Sequence, residues 1–215
     1  MRDDIFKAID GADVALLSKY LDENNELASS RSNDGMSAVL FSLYINKPEI
    51  TKILLSYEPE LDIFDLSALG GAGQISALLA ADQRIVHEYS GDGFTALHVA
   101  SYFGHSDVVG LLLENEADVN KVAMNGSDLT ALQSAVASGH RDVAEVLLGF
   151  NADVNVKMLG GFTPLMSAAA MGSMEIVSLL IAHSADKTLK SEDGRVASDF
   201  ALSAGHSDMA TELSI

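Results

Sequence analysis

Apolar residues run along this chain in short helical bursts separated by polar, turn-forming segments. In DGFTALHVASYFGHSDVVGLLLENEADVN (92–120), Leu97, Ala100 and Ser101 share one narrow helical face. Beyond Gly104, Val108, Leu111 and Leu112 recur at i, i+3 and i+4 and predict the buried stripe of a second helix. Thr95 stands just before the first pattern, where a hydroxyl can cap the backbone N–H three residues on. His98 occupies that third position, from which a capping-box side chain reaches back.

The pattern returns in SDLTALQSAVASGHRDVAEVLLGFNADVN (127–155) and in GGFTPLMSAAAMGSMEIVSLLIAHSADKT (160–188). Thr130 with Gln133, and Thr163 with Met166, repeat the helix start. Gly104, Gly139, Gly172 and Gly205 mark the turn between helices at spacings of 35, 33 and 33 residues. Upstream, 34–62 fits the same frame with Asn46 at the glycine position. Each second helix opens with an acid in its first turn: Glu49, Asp107, Asp142, Glu175 or Asp208. Negative charge there complements the positive end of the helix dipole. No unit covers its own apolar face, so stability has to come from stacking on neighbours.

A period near 33 with Thr-Ala-Leu-His (95–98), Thr-Pro-Leu (163–165), Gly-His (104–105) and Ala-Asp-Val-Asn (117–120) resembles the ankyrin-repeat family. The resemblance covers nearly the whole chain. It implies an all-α solenoid of stacked helix-turn-helix repeats with short hairpin loops, in one domain over 1–215. About seven units are expected. A degenerate cap spans 1–33, with Phe6 at the leucine position and Leu17 at the valine position. Units follow at 34–61, 62–91, 92–126, 127–159 and 160–192, and a second cap at 193–215. In the third unit Gly71 stands as the turn glycine, only 25 residues after Asn46. About eight residues are therefore missing where that unit's finger-like hairpin should be, which is expected to break the ridge of fingers.

Composition narrows the function. There is no cysteine, hence no disulfide, thiolate ligand or cysteine nucleophile. Met1-Arg2-Asp3-Asp4 is acidic and leads into no signal-like apolar region, and no apolar run suits a membrane helix. The expected protein is a cytoplasmic monomer without a membrane partner. A net charge of −18 argues against nucleic acid, because phosphate contacts need Lys and Arg. Turn, helix-start and loop positions of the repeat account for twelve of the 31 acids, which weakens the charge as a sign of a basic partner.

Candidate chemistry mostly dissolves into the repeat. His98 and His105 are seven apart across a turn, without the i, i+4 spacing of helical metal pairs. His105, His140 and His206 all follow the turn glycine, where the resemblance implies local hydrogen bonding between units. LGGAGQIS (69–76) lacks the Gly-Lys-Ser/Thr ending of a phosphate loop. Neither Gly-x-Ser-x-Gly nor His-Glu-x-x-His occurs. No catalytic residue, metal or cofactor is expected.

What the scaffold does not require is a stripe of apolar and aromatic residues. In proteins similar to this one, the hairpin tips and the free face of each first helix line a concave surface that binds protein partners. Those positions are Met36, Tyr44 and Ile45; Phe94, Tyr102 and Phe103; Leu129; Phe162 and Met171; and Arg195. Aromatics, Met and Arg are enriched in interface cores. Before the fifth unit, KVAMNGSDLT (121–130) is two residues longer than the repeat, and Asn125-Gly126 predicts a projecting finger that could touch a partner. The expected function is a non-enzymatic interaction module for a protein partner. Its alternatives are an acidic decoy covering a basic surface, or an enzyme or metal protein with a site the sequence does not display.

Overall fold

The computed structural model describes residues 2–214. Among the described residues fourteen α-helices follow one another, the first seven being α1 (Arg2–Asp10), α2 (Val14–Glu23), α3 (Ala38–Tyr44), α4 (Pro48–Ser56), α5 (Ile63–Leu69), α6 (Ala72–Ala81) and α7 (Ala96–Phe103). The second half holds α8 (Ser106–Glu114), α9 (Ala131–Ala137), α10 (Arg141–Gly149), α11 (Pro164–Met171), α12 (Met174–Ala182), α13 (Ala197–Ser203) and α14 (Ser207–Leu213). Each odd-numbered helix packs on the even one after it. The odd helices also stack in a row from α3 to α13, and α6, α8, α10 and α12 stack behind them. Among the described residues there is no β-strand, only isolated bridges at three hairpins: Arg31 with Ser37, Tyr89 with Thr95, and Met158 with Phe162.

The helix starts follow the sequence closely. Thr163 Oγ1 accepts from the Met166 N–H at 3.3 Å, and the Thr130 N–H donates to Gln133 Oε1 at 3.1 Å. The second-helix stripe differs by a residue from its expected form. Val108, Val109, Leu112 and Leu113 are buried, while Leu111 is half-buried, because the neighbours of α8 cover a broader arc than a three-residue stripe.

The turn glycines adopt the left-handed conformation, with φ of 86° at Gly104 and 73° at Gly172. The histidine of the following unit lies over the glycine. A Cβ on Gly104 would stand 2.7 Å from the His140 ring, and one on Gly172 would stand 2.4 Å from His206. His105 Nε2 lies 2.9 Å from the Ala68 carbonyl, and His140 Nε2 lies 2.9 Å from that of Tyr102. Each ring thus satisfies a carbonyl in the last turn of the preceding unit's first helix, which the helix itself leaves without a partner. This explains the Gly-His pair.

That contact and the backbone angles correct two assignments of register. His105 covers Gly70, whose φ is 77°, while Gly71 has ordinary backbone and is the N-cap of α6. Gly70 is therefore the turn glycine of the third helix pair. At the N-terminus Ala12 takes the left-handed position, and Ile5, seven residues before it, fills the buried leucine place. Phe6 lies half-buried with its ring 5.6 Å from that of Phe41.

Between α4 and α5 the chain has no hairpin. From Glu58, which has positive φ, it reaches Asp62, the N-cap of α5, in four residues. The ridge is nevertheless not broken there. The hairpin before α3 leans across and meets the one before α7, so that a Cβ on Gly91 would lie 1.8 Å from the Asp34 carbonyl oxygen. It is the core that divides. Ile5, Ile9, Leu17, Leu21, Val39, Ile50 and Leu54 form one buried cluster; Leu40 of α3 joins the buried residues from α5 onward in another, and Leu43 and Leu61 pack against both.

Polar groups tie the two parts together. Arg31 pairs with Asp62 at 2.8 Å, and the Glu60 N–H donates to Ser29 Oγ at 2.9 Å. The Ser37 hydroxyl donates to Asp65, whose other oxygen accepts from the Asp62 N–H at 3.2 Å. Asp65 is wholly buried, and burial, followed by the charge of Asp62, pushes its carboxyl up to about 6. A carboxyl with a raised folded pKa loses stability as pH rises from its unfolded value through the folded one. We expect Asp65→Asn to gain stability relative to the parent, on the order of 2 kcal/mol, as pH rises from about 4 to about 7. Urea unfolding at several pH values checks this, and a pH-independent difference between the two proteins refutes it.

Candidate interaction surface

The residues singled out from the sequence separate into a central cluster and flanking positions. Tyr44 at the end of α3 stacks on Phe103 at the end of α7, with ring centroids 5.6 Å apart and planes 28° from parallel. Tyr102 meets both edge-on, at 5.9 Å from Tyr44 and 5.1 Å from Phe103. Tyr102 is 47% exposed, while Tyr44 and Phe103 are half-buried. Two consecutive residues on α7 thus have different fates, since Phe103 stacks on Tyr44 while Tyr102 touches the same ring by an edge and keeps about half its surface in solvent.

Beside this cluster opens a cavity of about 400 Å³. Tyr44, Phe94, Tyr102 and Leu129 contribute to its walls, and Asp92 stands with them. The hairpin before α7 delivers Asp92 and Phe94, and the loop before α9 delivers Leu129. His98 belongs to the lining with 1% of its surface exposed. Its Nε2 lies 3.0 Å from the Leu129 carbonyl, which can only accept, so that nitrogen carries the hydrogen. Nδ1 then accepts from Thr95, whose N–H is at 3.3 Å and hydroxyl at 2.8 Å. Burial lowers the pKa of the ring. His98 is a neutral strut between two units, with both nitrogens in use. Burial first, then the charge and hydrogen bond of Asp92, push the Tyr44 phenol well above its usual range, so it stays protonated.

The flanking residues lie apart from this cavity. Met36 sits half-buried at the first hairpin, and Ile45 packs on the N-terminal core cluster. The Phe162 ring lies 5.2 Å from Phe200. Met171 is exposed and reaches to 3.6 Å from where a Cβ on Gly139 would stand, a place that histidines fill over Gly70, Gly104 and Gly172. Arg195 holds its guanidinium 4.1 Å above the Phe200 ring and donates from Nε to Asp193 at 2.7 Å.

The loop 121–130 forms a turn with Asn125 exposed. Its neighbours hold it on both sides. The Met124 N–H donates to the Gly93 carbonyl at 2.8 Å, and the Leu159 N–H donates to that of Ser127 at 3.0 Å. Met124 and Leu159 are 71% and 63% exposed at these tips. Sequence reasoning passed over both, and also passed over Asp92, which precedes the turn glycine Gly93. The signal for Asp92 was available, since it stands two residues before Phe94 on the same hairpin.

Among the described residues no group of three or more His, Asp or Glu side chains could hold a metal ion, and no helix is long and apolar enough to cross a membrane. Stacked helix pairs with an aromatic-walled pocket on the hairpin side define a repeat protein that presents a surface. The chain belongs to the ankyrin-repeat family: the model described as ankyrin repeats matches residues 5–121, 64–158 and 151–214. Such repeats generally serve as protein–protein interaction modules. The chain is also similar to a probable E3 ubiquitin-protein ligase, XBOS31, of Oryza sativa subsp. japonica, with 40% identity over 62 residues. That match covers 28% of this chain and 14% of the ligase.

Proposed function

We propose that this chain is a non-enzymatic module that binds a protein partner through its hairpin-side face, with Tyr44, Phe94, Tyr102 and Leu129 at the centre. The observation that carries the reading is the open, aromatic-walled cavity of about 400 Å³ beside an exposed Tyr102. An exposed aromatic next to a partly apolar hollow is the usual anchor point of an interface. Phe103 is half-buried in its stack on Tyr44, whereas Tyr102, though it meets both rings edge-on, keeps 47% of its surface exposed. Met36, Ile45, Phe162, Met171 and Arg195 flank this centre, and Asn125 extends it at the finger tip. The mechanism is rigid presentation, since a surface already stacked in place lowers the ordering cost of binding. The reading assigns no catalytic residue and no cofactor, and it places the module in the cytoplasm as a monomer.

Tyr102→Ser tests it. The thermal midpoint is expected to stay within about 4 °C of the parent, because nearly half of the residue is exposed and the Tyr44–Phe103 stack remains. Affinity purification from the native host, with parent and variant as paired baits, should recover a partner with the parent and lose it with the variant. An unchanged set of partners from a folded variant overturns the reading. Binding that resists added salt supports the apolar surface, and a steep loss with salt identifies the charge-driven decoy instead.

A further inference from the structure

We propose that the pocket walled by Tyr44, Phe94 and Tyr102 receives the side chain of an arginine from a basic segment of the protein partner. The inference rests on the partner-binding reading above and names the chemistry recognised there.

Three aromatic residues and Asp92 line the hollow, and no Lys or Arg does. Asp92 takes a hydrogen bond from the neutral hydroxyl of Ser90, its charge acts on the Tyr44 phenol, and no described ion pair involves it. The charge of Asp92 is thus unbalanced beside apolar walls. An apolar side chain filling the hollow would bury that charge without a counter-ion, which is costly. A cation would balance it. The neutral His98 does not compete, and the net charge of −18 draws basic segments toward the surface.

The chain itself shows which cation suits this arrangement. Asp193-Gly194-Arg195 occupies the same place in the hairpin before α13 as Asp92-Gly93-Phe94 occupies before α7. There Arg195 spans from the Asp193 carboxylate, 2.6 Å from Nη2, to the face of Phe200. The last hairpin supplies its own guanidinium between an acid and a ring. The hairpin before α7 keeps the acid and offers rings, with Phe94 standing in place of the arginine. A planar guanidinium can stack on aromatic faces and pair with a carboxylate at once, which a lysine ammonium does less well. The arginine methylenes would cover the apolar walls.

The test is an amide NMR titration of the full chain with the blocked pentapeptide Gly-Ser-Arg-Ser-Gly, and with versions carrying lysine, citrulline or norleucine at the centre. The expected result is shift changes confined to residues around the pocket for the arginine peptide. Citrulline and norleucine should bind about tenfold more weakly, and lysine should fall between. Asp92→Asn, which keeps an acceptor for Ser90, and Tyr102→Ser should each weaken the arginine peptide several-fold while the remaining spectrum stays folded. Equal binding of the norleucine peptide, or no pocket shifts with any peptide, overturns the arginine assignment. If Tyr102→Ser still loses the host partner in that case, the interaction surface stands and only its arginine is wrong. If the host partners are also unchanged, the surface itself is wrong.

Discussion

Gly91→Ala is expected to lower the thermal midpoint by roughly 10 °C and to loosen α1 to α4 before the rest of the chain. The reason is contact and not backbone strain, because Gly91 is not among the residues of positive φ. A methyl group there would lie 1.8 Å from the Asp34 carbonyl oxygen and 2.6 Å from its carbon. Both are backbone atoms, so no side-chain rotation relieves the overlap, and one of the two hairpins has to move. Overpacking of this kind costs about 3 kcal/mol. The damage falls where the molecule is least able to absorb it. The apolar core already thins between α1–α4 and the helices beyond, where Leu40, Leu43 and Leu61 carry it across, and the hairpin contact supplements these and a few polar ties. In a solenoid a weakened junction frees the smaller part first. Hydrogen exchange should therefore quicken in α1 to α4 while α7 to α13 keep their protection. A variant with the parent's midpoint and exchange pattern would show that the hairpins do not bear on one another.

His98 gives the second large effect, and two substitutions separate its causes. His98→Ala removes a buried ring and leaves the Thr95 N–H and the Leu129 carbonyl without the partner that bridged them. The cost should be about 2–4 kcal/mol. His98→Gln should recover most of this. The next unit already uses a glutamine in that place, where Gln133 accepts from Thr130 and donates to the Phe162 carbonyl at 3.2 Å. The two variants also differ from the parent in acid. His98 has a lowered pKa in the fold, so its stabilising contribution is present above its unfolded value of 6.5 and is lost as pH falls below it. His98→Gln should lack that part of the acid sensitivity. Chemical denaturation near pH 7 and pH 5 measures both effects. Equal losses in the alanine and glutamine variants would deny the bridge.

The reading of the repeat succeeded where each residue's task lies within its own unit. Thr163 caps the N–H three residues on as its spacing implies, while at Thr95 and Thr130 it is the His98 and Gln133 side chains that reach back to the threonine N–H, contacts that need only residues within three positions. The register slipped at Gly71 and Phe6, in degenerate units where the local pattern is thin. What settles Gly70 is His105, which lies over it from the next unit. The stripe of apolar residues was legible as a list but not as a site. Tyr44 and Tyr102 are 58 positions apart in the chain, and nothing local distinguishes Tyr102, about half in solvent, from Phe103, stacked on Tyr44.

From the sequence alone came the period, the helix starts, the turn glycines, and hence an all-α solenoid of the ankyrin type. Those properties follow from short-range backbone hydrogen bonding and from apolar spacing within a helix, both of which are written in consecutive residues. Tertiary structure decided the rest: that the hairpins before α3 and α7 close over a missing finger, that the core divides beneath them, and that Asp92 meets three rings at one hollow. Each depends on how far one unit leans toward another. That distance is set by packing between residues remote in the chain, where a single carbonyl against a single glycine decides the outcome.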